Sequence, residues 1–188
     1  AFWSLLGVDP IAVSEQLLDT QVIITTVGAV DAQPLVESLQ ALQIPVHEGA
    51  GGTEAAQFGN NSLLVVLTDD YLQPELSRIN QMALQKKQPW LLVKPIGGML
   101  WFGSIFHPGE TGCWECLAHR LNGNREVEAS VLRQKKEEQG CLPTAVAQLP
   151  STVQTAIGLT TTEIAKWLVN QCISQAKIQT LAGKIITL

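Results

Sequence analysis

Leu63-Leu64-Val65-Val66-Leu67-Thr68 is the clearest strand in the chain, and it runs straight into two carboxylates, Asp69-Asp70. That places the acidic pair at the carboxyl end of a strand, where α/β folds present groups to a ligand. Upstream, Val22-Ile23-Ile24-Thr25-Thr26-Val27 is β-branched throughout and short, the pattern of a buried parallel strand. Between the two, residues 34–42 carry Leu35, Leu39 and Leu42 at helical spacing, and Ile44-Pro45-Val46-His47 reads as a brief second strand. Residues 48–61 are rich in Gly and Asn and read as a loop. Downstream, a helix over about 74–87 leads to a strand over 89–94. Gly97-Gly98 then turns the chain into an aromatic-rich strand over 99–106, which needs an antiparallel neighbour.

The flanks complete the pattern. Residues 2–19 form two short amphipathic helices, the second starting at Pro10 behind an Asp9 cap. Residues 122–150 hold many charges and little apolar periodicity, so a partly helical crossover segment is expected there. Ser151 is expected to cap a helix reaching Cys172, with Ile157, Leu159, Ile164, Trp167 and Leu168 on its buried face. Residues 177–188 read as a hairpin-like strand pair about Ala182-Gly183. Strand–helix alternation followed by an antiparallel portion gives an α/β fold with a mixed sheet flanked by helices.

Composition narrows the function classes. Of 188 residues, 46% are hydrophobic and 15% charged, which excludes a disordered or solvated tail. Lys and Arg number 12 against 17 Asp and Glu, a net charge of −5, so the chain lacks the basic face that nucleic acid requires. No apolar run reaches the roughly 18 residues of a membrane span. The chain opens at Ala1 without a basic segment ahead of an apolar one, and is expected to be a piece of a larger soluble, cytoplasmic protein.

Four cysteines are too few for a secreted disulfide scaffold. Cys113-Trp114-Glu115-Cys116 has three readings: half of a tetrathiolate zinc site, a redox pair, or two buried thiols. Cys172 reads as a helix residue behaving as a small hydrophobe. His119 lies on the expected helix after Cys116, while His47 and His107 have no evident partner.

The order of these elements, ending in Pro108-Gly109-Glu110-Thr111-Gly112-Cys113-Trp114-Glu115-Cys116-Leu117, resembles ThiF/MoeB-type adenylating enzymes, the ubiquitin-activating-like proteins. Longer stretches narrow the likeness: Tyr71-Leu72-Gln73-Pro74-Glu75-Leu76, Gln88-Pro89-Trp90-Leu91-Leu92-Val93-Lys94-Pro95, Gly123-Asn124-Arg125-Glu126-Val127-Glu128, Cys141-Leu142-Pro143-Thr144-Ala145 and Thr162-Glu163-Ile164-Ala165-Lys166-Trp167. These are similar to the middle domain of cyanobactin heterocyclases, the TruD/PatD/LynD type of YcaO cyclodehydratase. The resemblance covers nearly the whole of residues 1–188 and implies a Rossmann-like, ThiF-type fold.

It implies more. Such enzymes carry an amino-terminal peptide clamp, a ThiF-like middle domain and a carboxyl-terminal YcaO domain, and they are dimers. The YcaO part uses ATP and Mg²⁺ to turn Cys, and in some members Ser or Thr, of a ribosomal precursor peptide into azolines. The middle domain holds a structural zinc through two CxxC pairs, of which this chain supplies Cys113 and Cys116. Clamp and YcaO domain are both absent from the 188 residues.

An adenylating relative needs a Gly-rich turn after its first strand, because close backbone approach and a helix amino terminus hold the phosphates. Here Val27 is followed by Gly28-Ala29-Val30-Asp31-Ala32, with a single glycine and an acid near the helix start that repels phosphate. Glu48 stands near where a ribose would need an acidic residue. Asp69 aligns with the Mg²⁺-holding acid of adenylating relatives, and Asp70 stands where they commonly have Asn. Cys141 falls in the crossover, where thioester-forming relatives keep a catalytic cysteine. The expectation is a scaffold domain with a degenerate nucleotide site. The alternative is an enzyme adenylating a peptide or carrier carboxylate, with Asp69 on Mg²⁺ and Cys141 as acceptor.

Overall fold

The computed structural model describes residues 2–49, 61–123 and 148–188. The first part holds α1 (Phe2–Leu5), α2 (Pro10–Leu17), β1 (Gln21–Val27), α3 (Gln33–Gln40) and β2 (Val46–Glu48). The middle part holds β3 (Ser62–Thr68), α4 (Glu75–Lys86), β4 (Trp90–Lys94), β5 (Trp101–Phe106) and α5 (Trp114–Gly123). The last holds α6 (Pro150–Cys172) and β6 (Ile186–Thr187).

All seven residues of β3 are buried, and the pleat deals them to two cores. Leu63, Val65 and Leu67 face α2, α3 and α6. Leu64 and Val66 face α4 and α5. Alternating side chains with both faces covered is what an unbroken apolar strand demands. The six strands lie in the order β2-β1-β3-β4-β5-β6. The β1–β2, β1–β3 and β3–β4 pairs are parallel, and β4–β5 and β5–β6 are antiparallel. The mixed α/β sheet read from the sequence is therefore the observed one. Among the described residues no helix is long and apolar enough to cross a membrane.

Local chemistry sets the ends of the elements. Asp9 accepts the Ile11 amide at 3.1 Å ahead of Pro10, the expected cap of α2. Helix α3 stops at Gln40, and Leu42 lies past it, exposed rather than on the helix face. Gln43 (φ 58°) then turns the chain so that Ile44 re-enters the core.

Two expectations are corrected. Ser151 does not cap α6; the helix begins with Pro150 as its first residue and Leu149 as cap. A proline ring fixes the φ that a first helical residue needs, so the start moves one residue upstream. Thr152 completes it, its Oγ1 accepting the Leu149 amide at 3.3 Å and donating to the Leu149 carbonyl at 2.8 Å. Residues 177–188 do not form a hairpin either. They run along the outer edge of β5, with Phe102 opposite Ile186 and Ala182 bridged to Ile105. The unpaired edge groups of β5 must be satisfied, and the tail supplies partners for them. Gly103 (φ 92°) is required for that approach, because a Cβ there would lie 2.3 Å from the Lys184 carbonyl oxygen. The loop expected over 48–61 and the crossover over 122–150 fall largely outside the described residues.

One side chain crosses the sheet's end. Tyr71, 1% exposed, places its hydroxyl between the carbonyl oxygens of Leu92 (2.8 Å) and Gly103, and can donate to one of them. Its ring packs on Trp101, with centroids 5.0 Å apart. Burial pushes its pKa well above the ordinary 10.0.

Below pH 10 folded and unfolded chains both keep this proton; above it the unfolded chain releases the proton first, so stability falls as pH rises past 10.0. Tyr71 is the single tyrosine. Its tyrosinate absorbance is therefore expected to appear together with the loss of circular dichroism, and tyrosinate forming in the still-folded chain near pH 10.0 would contradict this burial. Tyr71→Phe is expected to cost about 1 kcal/mol near neutrality, read by urea denaturation.

Candidate functional site

Strand β1 has β2 on one side and β3 on the other, so the chain leaves β1 in one direction and returns on the opposite side. The crevice beyond the carboxyl ends of β1 and β3 is thus a switch point of the sheet, the place where open α/β folds bind ligands. Val27 ends β1, Gly28 (φ 84°) turns the chain, and Asp69 follows β3 directly opposite.

Asp69 spends its carboxylate within the crevice. Its Oδ2 accepts the Ala29 amide at 2.8 Å, and its Oδ1 accepts Gln73 Nε2 at 2.7 Å. A Cβ on Gly28 would meet three atoms of that carboxylate at 2.2–2.4 Å. The glycine is therefore explained by the acid lying against it, as well as by its positive φ. Asp70 (1% exposed) bonds within its own turn. Its Oδ1 accepts the Leu72 amide at 2.8 Å, while Thr68 Oγ1 accepts the Asp70 amide and donates to the Asp70 carbonyl. This is a strand-end turn leading into α4.

Beside the crevice lies a cleft of about 860 Å³ between the start of α3, Pro95-Ile96 and the start of α6. Among the described residues its charged lining is Asp31 and Glu37, with no Lys, Arg or His. Asp31 is spent on the Gln33 amide at 2.9 Å, at the end of α3 where a phosphate would otherwise be favoured. Glu48 ends β2 at the exposed sheet edge and does not line this cleft.

The CxxC pair sits elsewhere, at the start of α5. Cys113 precedes the helix, Cys116 lies in its first turn, and the two Sγ atoms are 3.6 Å apart. Zn–S bonds of about 2.3 Å in a tetrahedron set an S···S edge of about 3.8 Å, so the pair has the spacing of one edge of a zinc site. The turn is fixed from below. The Trp114 amide donates to Asn80 Oδ1 at 3.2 Å and its indole Nε1 to the Tyr71 carbonyl at 2.9 Å.

Among the described residues no group of three His, Cys, Asp or Glu side chains could hold a metal ion, so the structure adds no third ligand to the pair. Cys172 ends α6, and burial, with the Asp19 carboxylate adding to it, raises its pKa and keeps it a thiol. His119 is exposed on α5, and His107 Nδ1 lies 3.5 Å from Glu110. Cys141 lies outside the described residues. Asn80 escaped the sequence reading; its signal is a polar residue on the buried face of α4, beside Leu76, Ile79 and Ala83.

No protein-family model matches the chain, and no curated protein matches it in sequence. Solved structures do. A heterocyclase in complex with substrate and cofactor superposes with a TM-score of 0.90 at 52% identity, covering 100% of this chain and 25% of that one. The heterocyclase TruD does so with 0.86 at 51%, covering 100% and 27%. E. coli MccB determined with ATP matches at 0.58 and 15% identity, covering 97% of this chain and 68% of that one, which is a likeness of fold. The chain spans about a quarter of the length of the heterocyclases it matches. With half its residues and its whole fold in common with that quarter, the chain is a ThiF-like domain of the heterocyclase family.

Proposed function

We propose that this chain is the scaffold domain of an ATP-dependent heterocyclase, standing between a peptide clamp and a YcaO domain, and that it has no working nucleotide site of its own. The parent enzyme would form azolines from Cys, and in some members Ser or Thr, of a ribosomal precursor peptide, as a cytoplasmic homodimer. The full-length likeness to heterocyclases supports the assignment. The Asp69 carboxylate on the Ala29 amide carries the claim about nucleotide. A phosphate approaching that turn meets an anion already holding the first donor, and at about 4 Å two unit charges repel by about 4 kcal/mol at an effective dielectric of 20. Among the described residues, the acidic cleft beside it has no cation in its lining.

The cysteine pair supports a structural zinc. Cys113 and Cys116 would be two of its ligands, with a second thiolate pair supplied by the rest of the polypeptide; such a closed site ties segments together and supplies folding energy. Trp114 and Asn80 hold the pair in register for it.

Calorimetric titration of the chain with Mg·ATP is expected to give no saturable heat. Saturable binding that vanishes in Asp69→Ala would instead make it an adenylating enzyme. In a heterocyclase carrying both thiolate pairs, Cys113→Ser is expected to release zinc and lower the melting temperature by several degrees. Unchanged zinc content and unchanged melting would remove the zinc assignment.

A further inference from the structure

A second hollow lies on the other side of α6, away from the switch point. It measures about 530 Å³, within the range of small-molecule sites. Its floor is Leu91, Val93 and Phe102 of β4 and β5, and the segment leading to β6 closes one side. We propose that this cavity binds an amphipathic carboxylate, an apolar body ending in a single carboxyl group.

The cavity is preformed, because polar tethers set the stand-off between α6 and the tail. Glu163 Oε1 accepts the Leu181 amide. Asn170 holds both backbone groups of Ile178, accepting its amide at 2.9 Å and donating to its carbonyl at 2.7 Å. These side-chain-to-backbone bonds fix the tail, whose Leu181, Ile185 and Ile186 line the hollow.

The lining defines the ligand. The floor is apolar, and the two threonine hydroxyls on the α6 wall are spent on their own helix, Thr160 on Ala156 and Thr162 on Gly158, each at 2.8 Å. A hydroxyl-rich ligand therefore gains little from them. Charge sits in three residues, Glu163, Lys166 and Lys184. Glu163 is 7% exposed; one oxygen holds the Leu181 amide and the other the Lys166 ammonium at 2.9 Å. Lys184 has no acidic partner among the described residues, and Lys166 uses one of its three donors on Glu163. Among the described residues the lining thus carries one surplus positive charge, on the exposed Lys184, in a chain whose net charge is −5. A single carboxylate balances that surplus, whereas a phosphate or diacid would set excess negative charge beside Glu163.

That chemistry belongs to a fatty-acid-like chain or to the carboxyl terminus of an apolar peptide, and titration separates the two. Sodium octanoate and a short Leu/Val peptide with a free carboxyl terminus would each be titrated into the chain by calorimetry, against octanol and the amidated peptide. At least one carboxylate is expected to bind saturably and raise the melting temperature, with its neutral counterpart about tenfold weaker. Lys184→Glu is expected to weaken binding about tenfold, and Leu159→Trp, which places bulk at the rim, to abolish it. Melting of each variant without ligand confirms that it folds. No binding of either carboxylate overturns the proposal, as does binding that both variants leave unchanged.

Discussion

The structure hangs on a strand that touches no water. Strand β3 has apolar side chains on both faces, so helices must cover both, and the crevice lies beyond its carboxyl end. Asp69 and Asp70 stand at the carboxyl end because they follow that strand in sequence. The two cores, the parallel register with β1 and β4, and the position of the crevice all follow from those buried residues.

What the crevice does is then a contest between negative groups. In a nucleotide-binding turn the backbone amides after the first strand are kept for phosphate. Here the Ala29 amide is taken by a carboxylate from the next strand, and Gly28 makes room for that acid. The same turn is thereby tied to β3 by a carboxylate-to-amide hydrogen bond. Asp70, adjacent in sequence, does something different, closing its own turn, because the pleat and the turn send neighbouring side chains to different partners.

The strands and a helix following the cysteine pair were legible in the sequence, because β-branched runs and a CxxC around Trp114 are local signals. The failures came where a partner is distant. The tail around Ala182-Gly183 looked able to pair with itself, and its true partner, β5, lies some eighty positions earlier in the chain. The start of α6 moved because proline at its first position outweighs a serine one residue on. The partners of Tyr71 and Asn80 could not be read locally; each is one polar residue whose bonds run to carbonyls or amides of other elements. The role of Asp69 was half visible. Its place at a strand end could be read, but its hold on Ala29 depends on the β1–β3 register.

The edge of the sheet also has a mechanical meaning. Leu188 and Leu100 exchange two backbone hydrogen bonds, at 2.9 and 3.0 Å, so tension on the last residue is borne first by β5. Strand β5 is latched at the Gly103 carbonyl by Tyr71, whose own carbonyl receives the indole of Trp114 between the two cysteines. A continuous line of strand backbone and hydrogen bonds therefore runs from Leu188 to the thiol pair on the opposite face of the sheet. Hydrogen bonds thus join the outer edge of the sheet to the turn that holds Cys113 and Cys116, through Tyr71.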